Sequence, residues 1–181
     1  MKIIVAISGG IAAYKAPDII SGFKKYGYDV GGDYYISAIA TDNALKFVTK
    51  SALKNTAHKV WEASTDSPVH IEASKDCDLF VIVPATANTI AKMAHGISDN
   101  IVVDTYLALK PNTIKVVCPA MNTRMWEHPT VMRNLSILEG DGCSIIDPVS
   151  GMLACGTVGI GKLPPTKDIV KKTIGIYNEK A

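Results

Sequence analysis

Runs of consecutive apolar, largely β-branched residues recur along the 181-residue chain, each closed by small or turn-forming residues. The first, Ile3-Ile-Val-Ala-Ile7 after Lys2, does not alternate with polar positions, which is the pattern of a strand buried on both faces. A glycine turn and a helix-like stretch to about Tyr26 follow. The same arrangement returns at Tyr35 to Ala40 before Thr41-Asp42-Asn43, Leu79 to Val83 before Pro84, Ile114 to Cys118 before Pro119, and Cys143 to Ile146 before Asp147-Pro148. Helix-competent stretches lie between them, notably His70 to Cys77, Asn88 to His95, Asn100 to Leu109 and Pro129 to Leu138. Strands alternating with helices predict an α/β fold with a parallel sheet. Ligands of such sheets sit beyond the carboxyl ends of the strands, so the residues directly after each run are where chemistry is expected.

No repeat, low-complexity tract or Ser/Gly/Pro linker divides the chain, which reads as a single domain over residues 1–181. Gly31 to Tyr35 predicts a turn, and residues 150–165, with four glycines and two prolines, predict a long ordered loop or flap. Hydrophobic residues at 48% and charged residues at 20% exclude a dominantly disordered chain. Nineteen Lys and Arg against seventeen Asp and Glu leave +2, too little for a protein that must neutralise many phosphates, and 7% aromatics argue against a base-stacking platform. Nucleic acid is therefore not expected as a partner. Cys77, Cys118, Cys143 and Cys155 form no CxxC pair and are too sparse for a disulfide framework, so a reduced, cytoplasmic chain is expected. The apolar N-terminus runs directly into Ser8-Gly9-Gly10 without a cleavage-type end and reads as strand rather than signal. No apolar run approaches the ~20 residues that span a bilayer, so no membrane association is expected.

Ser8-Gly9-Gly10-Ile11-Ala12-Ala13 follows the first strand and opens a helix, a place where backbone amides and the helix dipole receive phosphate. It is not a GxGxxG sequence, and a bare glycine pair taken alone is weak evidence that reads first as a tight strand-to-helix turn. Thr41 and Asn43 add polar side chains on the same edge, where ordinary capping also accounts for them. Pro84-Ala85-Thr86-Ala87-Asn88-Thr89 combines small residues, which let a flat ring approach the backbone, with uncharged hydrogen-bonding groups; capping by Thr86 or Asn88 is the competing reading. Asn122, after the fourth strand, both donates and accepts and so suits a substrate bearing carboxylate and amide groups, yet it also fits a helix N-cap above Met125 and Trp126. Cys155 sits in a glycine-spaced segment that can wrap a ligand and present a thiol as proton donor, against the alternative of a buried structural cysteine. His70 stands at the start of a predicted helix, where the dipole favours the neutral imidazole a base requires; taken alone it also reads as a surface or hydrogen-bonded histidine, the only reading given to His58, His95 and His128. No metal-ligand spacing occurs, so no metal is expected.

Taken in order, Ser8 to Ala12, Val69-His70-Ile71-Glu72, Pro84 to Thr89 with Asp99-Asn100, Pro119 to Trp126, and Ala154-Cys155-Gly156 with Gly159 and Gly161 resemble the homo-oligomeric flavin-containing cysteine decarboxylases, in particular their coenzyme A branch. The resemblance covers nearly the whole chain. It implies a Rossmann-like or flavodoxin-like fold with helices on both faces and FMN bound at a subunit boundary of a homo-oligomer, trimer or dodecamer. Gly9, Gly10, Ile11, Thr41 and Asn43 would serve the phosphate and ribityl side, Thr86, Ala87, Asn88 and Thr89 would lie along the flavin, and Ala120 would contribute a backbone contact. His70 matches the family's active-site histidine, Asn122 the substrate-holding asparagine, Cys155 the proton-donating cysteine, and Met152, Leu153 and Ala154 the clamp over the substrate. The implied reaction is FMN-dependent decarboxylation of 4'-phospho-N-pantothenoylcysteine to 4'-phosphopantetheine and carbon dioxide. The chain departs from the family at Gly31 to Ile39, which is longer and more polar, and at Leu163-Pro164-Pro165, which replaces an acidic approach after the clamp. It has no room for a fused ligase domain, so that step is expected from a separate protein. A flavin prenyltransferase and a non-catalytic flavin-binding regulatory subunit are the alternatives; the cysteine segment argues against the first and the lack of long acidic extensions against the second.

Overall fold

The computed structural model describes residues 1–181. In chain order it runs β1 (Lys2–Ile7), a 3-10 turn (Ile11–Lys15), α1 (Ala16–Asp29), β2 (Tyr35–Ala40), α2 (Lys50–Thr56), β3 (Lys59–Trp61), α3 (Val69–Ser74), β4 (Leu79–Ala85) and α4 (Ala87–His95). The second half adds α5 (Ile101–Leu107), β5 (Ile114–Pro119), α6 (Thr123–Trp126), α7 (Pro129–Gly140), β6 (Ser144–Ile145), β7 (Val149–Met152), β8 (Val158–Lys162) and α8 (Thr166–Lys180). Six strands form one parallel sheet in the order β3-β2-β1-β4-β5-β6.

The unalternated apolar runs have the physical cause expected of them. Successive strand residues point to opposite faces, and helices cover both. Ile3, Val5, Ile7, Val81, Val83 and Val116 pack on one side with Ile19, Ile20 and Phe23 of α1 and Ile169, Val170 and Ile174 of α8. Ile4, Ala6, Phe80, Ile82 and Val117 pack on the other with Ile90 and Met93 of α4, Val102 and Val103 of α5, and Leu135 and Leu138 of α7. Every residue of β4 is buried. Local signals set the helix ends: the Thr86 side chain accepts the Thr89 amide and caps α4, which stops at left-handed Gly96, and Asn100 caps α5.

The structure differs from the sequence pattern in five places. A sixth strand, β3, pairs with β2 at the sheet edge; three half-exposed or exposed residues are too short a run to register as a strand. Residues 150–165 are not one long loop: β7 and β8 form an antiparallel hairpin whose tip is 153–157, followed by the start of α8. The sequence pattern does not mark the helices α2 and α8, and the strand expected over 143–146 pairs only through Ser144 and Ile145. No helix is long and apolar enough to cross a membrane.

From β1 the sheet proceeds through β2 and β3 in one direction and through β4, β5 and β6 in the other. The reversal parts the loops after β1 and β4 and leaves a crevice above their carboxyl ends, where open α/β sheets bind ligands.

Candidate active site

A cavity of about 1230 Å³ opens at that crevice, and the loops after β1, β2, β4 and β5 line it together with the β7–β8 hairpin. Ser8 holds its floor: the buried hydroxyl donates to the Pro84 carbonyl at 2.8 Å and accepts the Thr86 amide at 2.9 Å, tying the first loop to the third. Gly9, Gly10 and Ile11 form the first wall. The amides of Gly9, Ile11 and Ala12 donate to no backbone carbonyl, so three N–H groups remain for a ligand. A Cβ at Gly9 would overlap Asn43 Cβ and lie 2.9 Å from the Asn43 carbonyl carbon, so only glycine lets the two loops close on one another. Thr41 lends its hydroxyl to the Ala44 amide at 3.2 Å, while the Asn43 side chain caps nothing and faces the cavity.

Thr86, Ala87, Asn88 and Thr89 make the second wall as the first turn of α4 and its cap. The hydroxyls of Thr86 and Thr89 lie 3.2 Å apart and that of Thr86 lies 3.3 Å from Ser8 Oγ, an uncharged chain of hydrogen-bonding groups. Ala120 and Asn122 enter from the loop after β5, and Met152, Leu153, Ala154 and Cys155 from the hairpin. Asn122 both caps and reaches the site. Its Oδ1 accepts the Arg124 amide at 2.9 Å, and its Nδ2 donates to Cys155 Sγ at 3.1 Å.

Thr157 Oγ1 lies 3.1 Å from the same sulfur. Hydrogen bonds from the Thr157 side chain and backbone, then that from Asn122, hold the exposed Cys155 thiol below its ordinary pKa. The other cysteines are buried, and burial pushes Cys77 and Cys118 up to about 12 and raises Cys143. One thiol of four is therefore suited to proton traffic.

Every residue singled out from the sequence lines this cavity except His70. His70 is the second residue of α3, half-buried, and the fold of one chain leaves it outside the lining. The remaining histidines are structural: His58 Nδ1 accepts the Ile36 amide, His128 Nδ1 caps α7, and His95 bonds Asn134. The sequence reading missed Lys15, Lys92 and Lys162, all in the lining. Lys92 is paired with Asp99. Burial, and secondly the charge of Lys162, lowers the Lys15 pKa, and both lysines belong to the cavity lining. No spacing rule marks these lysines, because three separate elements deliver them.

The residues fit FMN on the observations above. Free amides and a glycine-dependent close approach provide a phosphate cradle, and an uncharged Thr/Asn wall over small residues provides room for a planar ring. A sequence model of the family described as Flavoprotein matches residues 1–178. The chain is 40% identical over 177 residues to a probable phosphopantothenoylcysteine decarboxylase of Streptococcus mutans, covering 94% of this chain and 96% of that protein. Among solved structures it is similar to a Cys-to-Ser mutant of PPC decarboxylase complexed with pantothenoylaminoethenethiol, with TM-score 0.86, 27% identity and 98% of each chain covered. It is also similar to the FMN binding protein AtHal3, with TM-score 0.82 and 28% identity over 99% of this chain and 98% of that one.

Proposed function

Because the chain belongs to the flavoprotein family, we propose that it is an FMN-dependent decarboxylase of coenzyme A biosynthesis, converting 4'-phospho-N-pantothenoylcysteine to 4'-phosphopantetheine and carbon dioxide. The observation that carries the reading is the Asn122 amide 3.1 Å from Cys155 Sγ within the cavity that also holds the glycine cradle. When bound, FMN supplies a two-electron oxidation of the cysteinyl Cβ–SH to a thioaldehyde and returns the electrons once carbon dioxide has left, so the net reaction is redox neutral.

The protein's own groups orient the substrate and move protons. Asn122 Nδ2 has a second hydrogen free to hold the substrate carboxylate beside the thiol. After that carboxylate has left as carbon dioxide, the former Cα needs a proton. Cys155 Sγ–H gives it, and the hydrogen bonds from Thr157 and Asn122 that lower the thiol pKa receive the thiolate that remains. Met152, Leu153 and Ala154 cover the substrate, and Gly9, Gly10, Ile11, Thr41, Asn43, Thr86, Ala87, Asn88, Thr89 and Ala120 hold the flavin. Lys15 and Lys162 give the cavity the positive charge that a phosphorylated ligand pair requires.

His70 accepts a proton in the oxidative half-reaction and is supplied by a neighbouring subunit. Its position outside the cavity of its own chain supports this, as do the exposed apolar side chains beside it and around the cavity, Ile71 on α3 and Ile11, Tyr14 and Met152 at the mouth. Matching one face of a chain to a different face of the next gives a ring where the rotation closes, and the resemblance to the cysteine decarboxylases favours a trimer or a dodecamer. Four unpaired cysteines support a reducing, cytoplasmic setting. The test is product identification. FMN-loaded protein given 4'-phospho-N-pantothenoylcysteine releases carbon dioxide and forms 4'-phosphopantetheine; prenyl transfer to reduced FMN, with no decarboxylation, would overturn the reading.

A further inference from the structure

Three consecutive residues make every hydrogen bond that leaves the β7–β8 hairpin. The Met121 amide donates to the Gly161 carbonyl at 3.0 Å, Asn122 Nδ2 to Cys155 Sγ at 3.1 Å, and Thr123 Oγ1 to the Ile160 carbonyl at 2.7 Å. The hairpin forms a two-stranded sheet of its own, so no ladder joins it to the main sheet. Cys155 is at the exposed tip, and its other side-chain partner, Thr157, travels on the same hairpin. The position of the thiol relative to the body of the protein therefore depends on how β8 is tied to the segment carrying Asn122.

We infer that Thr123 is the positioning residue of this site: its hydroxyl locks β8 to the first turn of α6 and thereby holds Cys155 against Asn122. The inference rests on the role of Cys155 as proton donor. Two adjacent β8 carbonyls receive donors from either side of Asn122, which brackets that side chain between fixed points. Thr123 is not among the residues that line the cavity, so its part in the site runs through the hairpin. The partner strand is shaped for it. A Cβ at Gly159 would overlap the Thr123 hydroxyl, and one at Gly161, where φ is +135°, would collide with the Met121 carbonyl. Glycine at both positions lets β8 approach closely enough for the two donors to reach. Of the two anchors only the Thr123 bond is made by a side chain, so substitution removes it while the backbone anchor remains.

The test uses FMN-loaded Thr123→Ala, Thr123→Val and Thr123→Ser. The first readout is the pH dependence of Cys155 alkylation by iodoacetamide; the second is the share of product that has lost carbon dioxide but has not been reduced. Thr123→Ala and the isosteric Thr123→Val should move the alkylation midpoint up toward the ordinary thiol value, as Asn122 no longer rests on the sulfur. They should also raise the unreduced share about tenfold, the effect of one lost hydrogen bond. Thr123→Ser, which keeps the hydroxyl, should restore both. A wild-type midpoint and product ratio in Ala and Val, or a Ser variant no better than Ala, would overturn the inference. So would loss of flavin and fold in both Ala and Val, which would make Thr123 a folding residue. Alkylation reads the thiol without turnover, so its outcome is separate from failure of the wild-type protein to make 4'-phosphopantetheine.

Discussion

Asn122 shows why the structural and functional readings of one residue need not compete. Its oxygen caps α6 and its nitrogen holds a cysteine sulfur, so the capping geometry aims the amide into the site. Asn122→Asp separates the two tasks. The carboxylate still caps, so stability should change by no more than about 0.5 kcal/mol. It donates nothing to Cys155 and sets a negative charge beside both the thiol and the substrate carboxylate. The Cys155 midpoint should then rise, and catalytic efficiency should fall at least about 100-fold from like-charge repulsion. In the wild-type protein native alkylation should give one adduct, at Cys155, with a midpoint below the ordinary thiol value, because burial withholds the other three sulfurs. Labelling across a pH series with peptide mapping checks both statements; an unchanged midpoint in Asn122→Asp would remove the amide from the account of the lowered pKa.

The proposed cofactor cradle belongs to no single element: Gly9 follows β1, Asn43 follows β2 and Thr86 follows β4, and they meet because those strands are neighbours in the sheet. Gly9→Ala would push a methyl group against Asn43. Overpacking of this kind costs about 1–3 kcal/mol, so FMN binding should weaken roughly 10- to 100-fold while far-ultraviolet circular dichroism stays native. Full flavin content in Gly9→Ala would contradict the cradle. The parallel core and the segments that reach the cavity were legible because burial on both faces writes itself as unbroken apolar runs, as in β1 and β4. The hairpin was not legible as strands, since β7 and β8 contain glycines and largely face solvent or the cavity. Nor was β3, held at the edge by three residues, or α8, whose buried stripe includes Thr173 and is followed by Gly175. Only resemblance marks Met152 to Cys155 as a clamp, and the contact of Cys155 with Asn122 is a property of the folded chain alone.

At the scale of the whole molecule, one chain brings together the proposed cradle and flavin wall, Asn122 and Cys155 around one cavity but leaves His70 on α3 outside. If a neighbour supplies His70, His70→Asn and Cys155→Ser chains are each deficient alone and complement one another. Co-assembled oligomers should then form reduced product at a rate that neither parent reaches, because some sites combine the intact histidine of one chain with the intact cysteine of the other. Failure of co-assembled oligomers to recover activity would place both groups in one chain or remove His70 from the reaction. The most direct test of the central claim is mass spectrometry of the products formed from 4'-phospho-N-pantothenoylcysteine by the FMN-loaded protein and by its Cys155→Ser variant. The wild type should yield carbon dioxide and 4'-phosphopantetheine, and the variant should yield carbon dioxide but halt at the unreduced enethiol. Full reduction by Cys155→Ser, or no decarboxylation by the wild type, would contradict it.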